Sequence, residues 1–332
     1  MSKRVLLTGM AGFVGSHLLE HLLENTDWDI VGLVTFRHRG DSLRLDLDKY
    51  DPARVTVLYH DLRGPISPRL VSQIGLIDYI INAAAESHVD RSIEDPVPFI
   101  EANVSIVCNM LEYARVAKPE KFVQISTDEV FGPAPVGHDH AEWSTTLPSN
   151  PYSASKACQE AIAISYFRTY GVPLIITNCM NQVGERQDTE KYVPSVIGKV
   201  LRGETVEVHG DLEAGTVGSR HYIHARSHAD AVLFLLNNHT PQSYPEFDRP
   251  SRFNIVGEKE LDNLEMAQLL AGMVGKPLHH EIVGFHQRRP GHDLRYSLDG
   301  TKLAEAGWSP PMTLETSLAK TVGWTLENRE WL

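Results

Sequence analysis

Short apolar runs recur through the first two-thirds of the chain, and between them lie stretches whose apolar residues repeat about every four positions. Val5–Thr8, Ile30–Val34, Val55–Tyr59, Tyr79–Asn82, Phe122–Ser126 and Leu174–Thr177 have the length and apolar content of buried strands. Phe13 to Glu24 places Val14, Leu18 and Leu22 on one helical face, and Val104, Cys108 and Leu111 mark a second helix. A third, Tyr152 to Tyr170, runs without Gly or Pro. Strands alternating with helices at this spacing predict an α/β fold, a doubly wound parallel sheet covered on both faces.

Beyond Cys179 the rhythm loosens into Gly- and Pro-bearing segments such as Gly210–Gly218 and Pro241–Pro250, which predicts a second, smaller lobe. One later segment, Ser227 to Asn237, opens on Ser227-His228-Ala229-Asp230, read as an N-cap serine with an acid three residues on, and leads to a strand over Phe253–Val256. That pair is expected to return to the first sheet. The domain reading is therefore 1–178 with 227–256 for the sheet-bearing domain, and 179–226 with 257–332 for the smaller lobe.

Composition narrows the class. Of 332 residues, 42% are hydrophobic and 22% charged, which excludes a disordered or fibrous chain. The 43 acidic residues against 31 basic ones give a net charge of −12, and no basic run offsets it, so neither nucleic acid nor an anionic membrane is an expected partner. Cys108, Cys158 and Cys179 show no CxxC or Cys/His ligand spacing, which argues against a disulfide framework or a zinc site and fits a reducing cytoplasm. The apolar part of the N-terminal segment is too short for a signal sequence or a membrane span. Histidines are scattered, and the adjacent pair His279-His280 reads as a solvated strand start.

Thr8-Gly9-Met10-Ala11-Gly12-Phe13-Val14-Gly15 follows a strand and opens a helix, the context of a dinucleotide-binding turn. Gly9 permits the tight turn, Gly12 lets backbone N–H groups approach a pyrophosphate, and Gly15 lets helix and strand pack closely, with Phe13 and Val14 in the helix N-terminus that favours the anion. An NAD site places a carboxylate ~20 residues further on, against the ribose hydroxyls. Here the second strand ends in Val34-Thr35-Phe36-Arg37-His38-Arg39. Two arginines and no carboxylate suit a 2′-phosphate, so Arg37 and Arg39 favour NADP, with NAD as the alternative. Asp61 and Leu62, just past the third strand, are placed to flank the adenine.

Tyr152-Ser153-Ala154-Ser155-Lys156 sets a phenol and an ammonium four residues apart, on one face of a helix. Lys156 is expected to depress the Tyr152 pKa and make it a base for an alcohol proton. A strand ending in Ser126-Thr127-Asp128-Glu129 precedes the pair, and ligands of doubly wound folds sit outside the carboxyl ends of strands.

With these motifs in place, the chain resembles the extended short-chain dehydrogenase/reductase superfamily and, within it, the nucleotide-sugar 4,6-dehydratases, above all the dTDP-glucose 4,6-dehydratase type. The matching segments are Thr8–Ser16, Ala84-Ala85-Glu86-Ser87-His88-Val89-Asp90-Arg91-Ser92-Ile93, Ser126–Gly132, Asn150–Ala157 and Arg288-Arg289-Pro290-Gly291-His292-Asp293. The resemblance implies a lyase that oxidises C4 of an NDP-hexose, eliminates water across C5 and C6, and returns the hydride to C6 as the 4-keto-6-deoxy sugar. It implies Tyr152 as base for the C4 hydroxyl, Lys156 on the nicotinamide ribose, Thr127 on the C4 oxygen, Glu129 as base at C5 and Asp128 as acid at the C6 hydroxyl. Asp128 must then be protonated, and like-charge repulsion from Glu129 is the expected cause. Ala83, Ala84 and Ala85 line the cofactor by the same resemblance, and Ser87, His88, Asn181, Arg220, Arg289 and His292 contact the substrate.

Departures lie mainly on the nucleotide side: Asn82 stands where the family commonly has His, and Asn178-Cys179-Met180-Asn181-Gln182-Val183-Gly184 and His221–Ser227 replace family patterns. The basic end of the second strand resembles the GDP-mannose 4,6-dehydratases. The competing readings are a 4-epimerase or 5,6-dehydratase on the same fold, and a non-catalytic NADP-binding protein. A homodimer through Val104–Ala117 and Tyr152–Tyr170 is the assembly the resemblance implies.

Overall fold

Each apolar run becomes a strand, and the strands pair in parallel. The computed structural model describes residues 2–37, 40–284 and 291–332. In it β1 (Arg4–Thr8), β2 (Asp29–Val34), β3 (Val55–Tyr59), β4 (Tyr79–Asn82), β5 (Lys121–Thr127) and β6 (Leu174–Cys179) are joined by β11 (Ser251–Ile255). The sheet runs β11-β6-β5-β4-β1-β2-β3, every pairing parallel. Inner parallel strands buried on both faces need apolar residues on both, which is why β1, β2, β4 and β6 read as near-continuous runs; β3, expected to be buried, is an edge strand that is only partly covered and exposes Tyr59.

Helices cover the two faces. On one, α1 (Phe13–Asn25) and α7 (Ala225–Asn238) pack Leu18, Leu22, Val232 and Leu235 against Val5, Leu7 and Ile175. On the other, α2 (Pro68–Ile74), α4 (Pro96–Ala117) and α5 (Pro151–Tyr170) bring Leu70, Met110, Leu111 and Phe167 onto Leu6, Ile80 and Phe122. A separate core joins Val196 and Ile197 of α6 (Tyr192–Arg202) to Leu270 of α8 (Asn263–Val274) and Leu318 of the helix Leu314–Glu327. Beside it lie two small sheets. One is β7 (Asn181–Val183), β10 (Ser219–His224) and β12 (Glu260–Asp262); the other is β8 (Val206–Asp211), β9 (Thr216–Val217) and β13 (His280–Gly284).

Three local expectations change. The helix expected from Val104 starts at Pro96, because proline is tolerated in a first turn where its missing N–H has no partner to lose. The serine cap at Ser227 is not formed. Helix α7 begins at Ala225, the His224 ring accepts from the Arg226 N–H at 3.0 Å, and Ser227 is buried inside. Asp230, read as part of that cap, accepts instead from Trp308 Nε1 at 2.7 Å. Short elements such as α3 (Val89–Glu94) and the two small sheets carry too few residues for a periodic signal.

Helix α5 differs from the others in burying a polar face: Ser153, Ser155, Lys156, Gln159 and Glu160 all lie against the sheet. Glu160 pairs there with Arg252 of β11, accepts from Ser126 Oγ at 2.5 Å and from Asn178 Nδ2 at 2.7 Å, and Arg252 Nε donates to Asn178 Oδ1 at 2.9 Å. Removing one member of such a group strands a buried charge. Glu160→Ala is therefore expected to lower unfolding free energy by ~3–5 kcal/mol, whereas replacing Glu160 and Arg252 together by methionines costs less. Urea unfolding of the three proteins measures both, and equal losses would contradict the pairing.

Candidate active site

The strand order reverses between β1 and β4, so the loops that leave their carboxyl ends diverge and open a crevice. Gly9 turns the chain there at φ +69°, and a Cβ on it would lie 2.9 Å from the Ala84 nitrogen. A Cβ on Gly15 would lie 2.0 Å from the Gly9 carbonyl oxygen, so α1 reaches this close only with glycine. Gly12 caps α1 with no side chain on the first-turn N–H groups and no acid in that turn. The helix end is thus a cradle for an anion, and these residues fit the diphosphate of a dinucleotide.

One cavity runs from this cradle to the end of β5. Its wall includes the glycine turn with Phe13 and Val14, then Arg37, Asp61 and Leu62, Ala83 to His88, Thr127 to Glu129, Tyr152, Lys156 and Asn181. The structure thus gathers most of the residues singled out in the sequence. It does not bring all of them to this wall. The Arg220 guanidinium, close enough to Asp128 to act on its charge, donates to the carbonyls of Ser219 and Leu294, each at 2.6 Å, and lies over the Tyr296 ring. His292 pairs with Asp90 at 3.0 Å. Neither lines the cavity. Arg39 and Arg289 fall outside the described residues.

At the adenosine end, Asp61 accepts from Arg37 at 2.8 Å and from Arg63 at 2.6 Å, and the Arg63 hydrogen bonds hold its carboxyl at about 2. Arg63 also lines the cavity and was missed; a second guanidinium two residues past Asp61 was the available signal. The wall formed by Gln182, Lys191, Tyr192 and Val193 was missed as well, since nothing in that apolar–polar order marks it. Lys191 Nζ donates to the Ser87 carbonyl at 3.3 Å, and His88 pairs with Glu190 at 2.7 Å, which closes this wall onto the loop after β4.

At the other end, β5 delivers Thr127 as the cap of a short 3-10 turn over Asp128–Phe131. Thr127 Oγ1 donates to Asp128 Oδ1 at 2.9 Å, while Asp128 Oδ2 is buried with no hydrogen-bond partner among the described residues. Burial first, and the Glu129 charge second, raise the Asp128 carboxyl to about 7. Desolvation thus leads, and the repulsion expected from burial beside Glu129 comes second. Glu129 is only half-buried and accepts from Asn150 Nδ2 at 3.3 Å. Asn150 also caps α5 in a reciprocal bond with Ser153, and this fixes Tyr152 in the first turn of the helix.

Tyr152 departs from expectation. Burial and then Glu129 push its phenol well above the usual tyrosine range, with the Thr127 hydroxyl pulling the other way. Lys156 does not depress it here. The ammonium points under the helix, donating to the Ile125 carbonyl at 2.8 Å and to Gln159 Oε1 at 2.7 Å, and burial lowers its own pKa to about 8.

Comparison with known proteins gives the family. Residues 6–321 match the family described as GDP-mannose 4,6 dehydratase. The chain belongs to that family. It is 31% identical to a dTDP-glucose 4,6-dehydratase of Escherichia coli, covering 99% of this chain and 95% of the relative. It is 36% identical to the low-salt glycan biosynthesis protein Agl12 of Haloferax volcanii, over 98% and 99%. A solved dTDP-glucose 4,6-dehydratase of Streptomyces venezuelae with NAD bound superposes with TM-score 0.86 at 34% identity, over 99% and 98%. A Thermus thermophilus UDP-glucose 4-epimerase with NAD bound reaches 0.83 at 27%, over 97% and 98%. The expected fold class and the expected enzyme class, a nucleotide-sugar 4,6-dehydratase of Rossmann type, both stand.

The Asp128 environment makes a sign-definite prediction. A carboxyl whose folded pKa lies above its unfolded value adds stability that is complete below the unfolded pKa and is lost as pH rises through the folded one. Asp128→Asn is therefore expected to match wild type near pH 4 and to exceed it at pH 8 by roughly 2–4 kcal/mol. Denaturant unfolding at the two pH values reads this, and a pH-independent difference would contradict the raised carboxyl.

Proposed function

We propose that this cavity converts an NDP-hexose to the NDP-4-keto-6-deoxy sugar with the roles below, the dTDP-glucose of the relatives being the first substrate to try. The observation that carries the reading is the divided carboxyl pair. Asp128 is buried, raised to about 7 and, among the described residues, unpartnered at Oδ2, while its neighbour Glu129 is half-open to the same cleft. An elimination needs one acid and one base together; a 4-epimerase needs neither beyond the Tyr/Lys pair.

Tyr152 takes the proton of the C4 hydroxyl, and Thr127, already the phenol's hydrogen-bond partner, steadies the C4 oxygen. Glu129 removes the C5 proton, which a C4 ketone acidifies, and Asp128 gives its proton to the leaving C6 hydroxyl. The glycine cradle and Lys156 would hold a nicotinamide dinucleotide, which when bound supplies two-electron oxidation at C4 and reduction at C6 and is not consumed. The side of the molecule built by β7, β10 and α6 is read as holding the nucleotide sugar, with Ser87, His88 and Asn181 nearest the cavity. Arg220 and His292 would reach substrate only by leaving their present partners. Three free cysteines fit a reducing compartment, and α4 and α5, packed side by side, are the surface for a homodimer.

Of the two dinucleotides we favour NADP. Thr35, Phe36 and Arg37 offer no carboxylate for ribose hydroxyls, and Arg37 with Arg63 places two guanidiniums around one carboxylate. A 2′-phosphate would draw Arg37 from Asp61. NAD, which the neighbours carry, is the alternative. Arg37→Ala is expected to weaken NADP about tenfold or more and NAD little, by fluorescence titration of each. An unchanged ratio returns the preference to NAD.

Turnover tests the reaction. Incubation with dTDP-glucose, GDP-mannose, UDP-glucose, UDP-N-acetylglucosamine and CDP-glucose, followed by mass spectrometry and proton NMR, should give loss of one water from one of them, with the C6 methyl signal of a 4-keto-6-deoxy product. A C4 epimer of unchanged mass selects the epimerase, and an exocyclic enol ether the 5,6-dehydratase. Tyr152→Phe should remove oxidation, and Glu129→Gln should slow elimination about 100-fold or more while leaving the first oxidation largely intact.

A further inference from the structure

Beneath the cleft lies a line of buried amides that the reaction itself does not use. Gln159, on α5 and fully buried, donates through Nε2 to the Asn103 carbonyl at 2.8 Å. A carbonyl only accepts, so the Gln159 amide has one orientation, with Oε1 turned to Lys156 Nζ at 2.7 Å. The same Oε1 lies 3.4 Å from Gln124 Nε2 on β5. Gln124 Oε1 accepts from Asn82 Nδ2 at 2.8 Å, Asn82 Oδ1 accepts from Thr8 Oγ1 at 2.8 Å, and Thr8 Oγ1 accepts from the Ala84 N–H at 3.0 Å. The line crosses the sheet along one register, Thr8 beside Asn82 and Asn82 beside Gln124, and stops at the residue before Gly9. Asn103 extends it sideways, accepting from the Glu86 N–H at 2.7 Å and donating to Ser155 Oγ at 2.8 Å.

We propose that Gln159 is a positioning residue for Lys156, fixing its ammonium beneath the cleft and, through Gln124, Asn82 and Thr8, tying that position to the strand that carries the glycine turn. The proposal rests on the reading that Lys156 holds the dinucleotide. An ammonium has three N–H donors. Ile125 and Gln159 take two, at 2.8 and 2.7 Å, and leave one for a ligand. Without Gln159, the ammonium keeps one fixed acceptor in a dry site and swings about it. The titratable group that acts on Lys156 is Glu160 on its own helix, engaged with Arg252 and Ser126; Tyr152 a turn earlier, Asp128 and Glu129 after β5, Cys179 at the end of β6 and Glu86 after β4 line the same cavity as the ammonium. Gln159 is a neutral side chain that touches the ammonium directly, so replacing it by an apolar residue acts on the ammonium without adding or removing a charge.

Titration calorimetry with NADP, and NAD in parallel, from pH 6 to 10 tests this. Wild-type affinity should fall as pH rises through the Lys156 pKa, because the ammonium is the binding form. Gln159→Met removes an acceptor from the charged form and should move that midpoint down by about one pH unit, weakening binding roughly tenfold at the alkaline end. Gln159→Leu likewise lacks the acceptor and puts no second acceptor against the Asn103 carbonyl; it should move the midpoint down similarly, and it decides the matter should the methionine variant not fold. A shared midpoint in all three proteins overturns the proposal, even if affinity drops, since a structural role alone weakens binding without moving a titration. Absence of dinucleotide binding by wild type overturns it too. Failure of the dehydratase reading is separate: it appears as dinucleotide binding with no product from any sugar nucleotide.

Discussion

Desolvation at the carboxyl end of β5 is the constraint on which the site depends. The chain turns Thr127, Asp128 and Glu129 out of a parallel sheet directly over a helix whose inward face is polar. That helix could not pack there with ordinary charged residues, because each buried polar atom needs a partner and each buried charge a counter-charge or several donors. The sequence meets the requirement with two devices. A salt-bridged group of Glu160, Arg252, Asn178 and Ser126 underpins β5 and β6, and a line of neutral amides underpins Lys156. With water excluded, small displacements of charge carry large energies, which is what allows adjacent carboxyls to differ.

Much of this was legible beforehand, and the reason is locality. The glycine turn, the Thr127-Asp128-Glu129 triplet and the Tyr152/Lys156 spacing each lie within one turn or loop, so sequence neighbours are also spatial neighbours. The buried strands were legible because burial on both faces demands unbroken apolar runs. Arg220 and His292 were not: they were matched by resemblance, and their side chains find carbonyls and Asp90, which only the fold brings near. Arg63 sits two residues beyond Asp61 and was within reach of the same reasoning that chose Arg37.

The amide line shows the complementary limit. Asn82 appeared in the sequence as an isolated departure from a histidine, with no evident consequence. Its meaning depends on the register of β4 with β5, which sets Gln124 beside it, and of β1 with β4, which sets Thr8 on its other side. No periodicity reveals a chain of hydrogen bonds that runs across strands, because its members lie 74, 42 and 35 residues apart.

The Tyr152/Lys156 relation follows from the same geometry. An ammonium four residues from a phenol was expected to draw its pKa down. Instead Lys156 faces Ile125 and Gln159, while the carboxyls of Glu129 and Asp128 face the phenol and hold it in its neutral form. The arrangement as it stands suits storage of protons: a neutral phenol, a carboxyl raised to about 7 and an ammonium lowered to about 8 all change protonation at little cost near neutrality, except the phenol. For the phenol to act as a base, positive charge must enter the cleft beside it. On the proposed reading, the oxidised ring of a bound nicotinamide would supply such charge, which ties the readiness of the phenol to occupancy of the cleft.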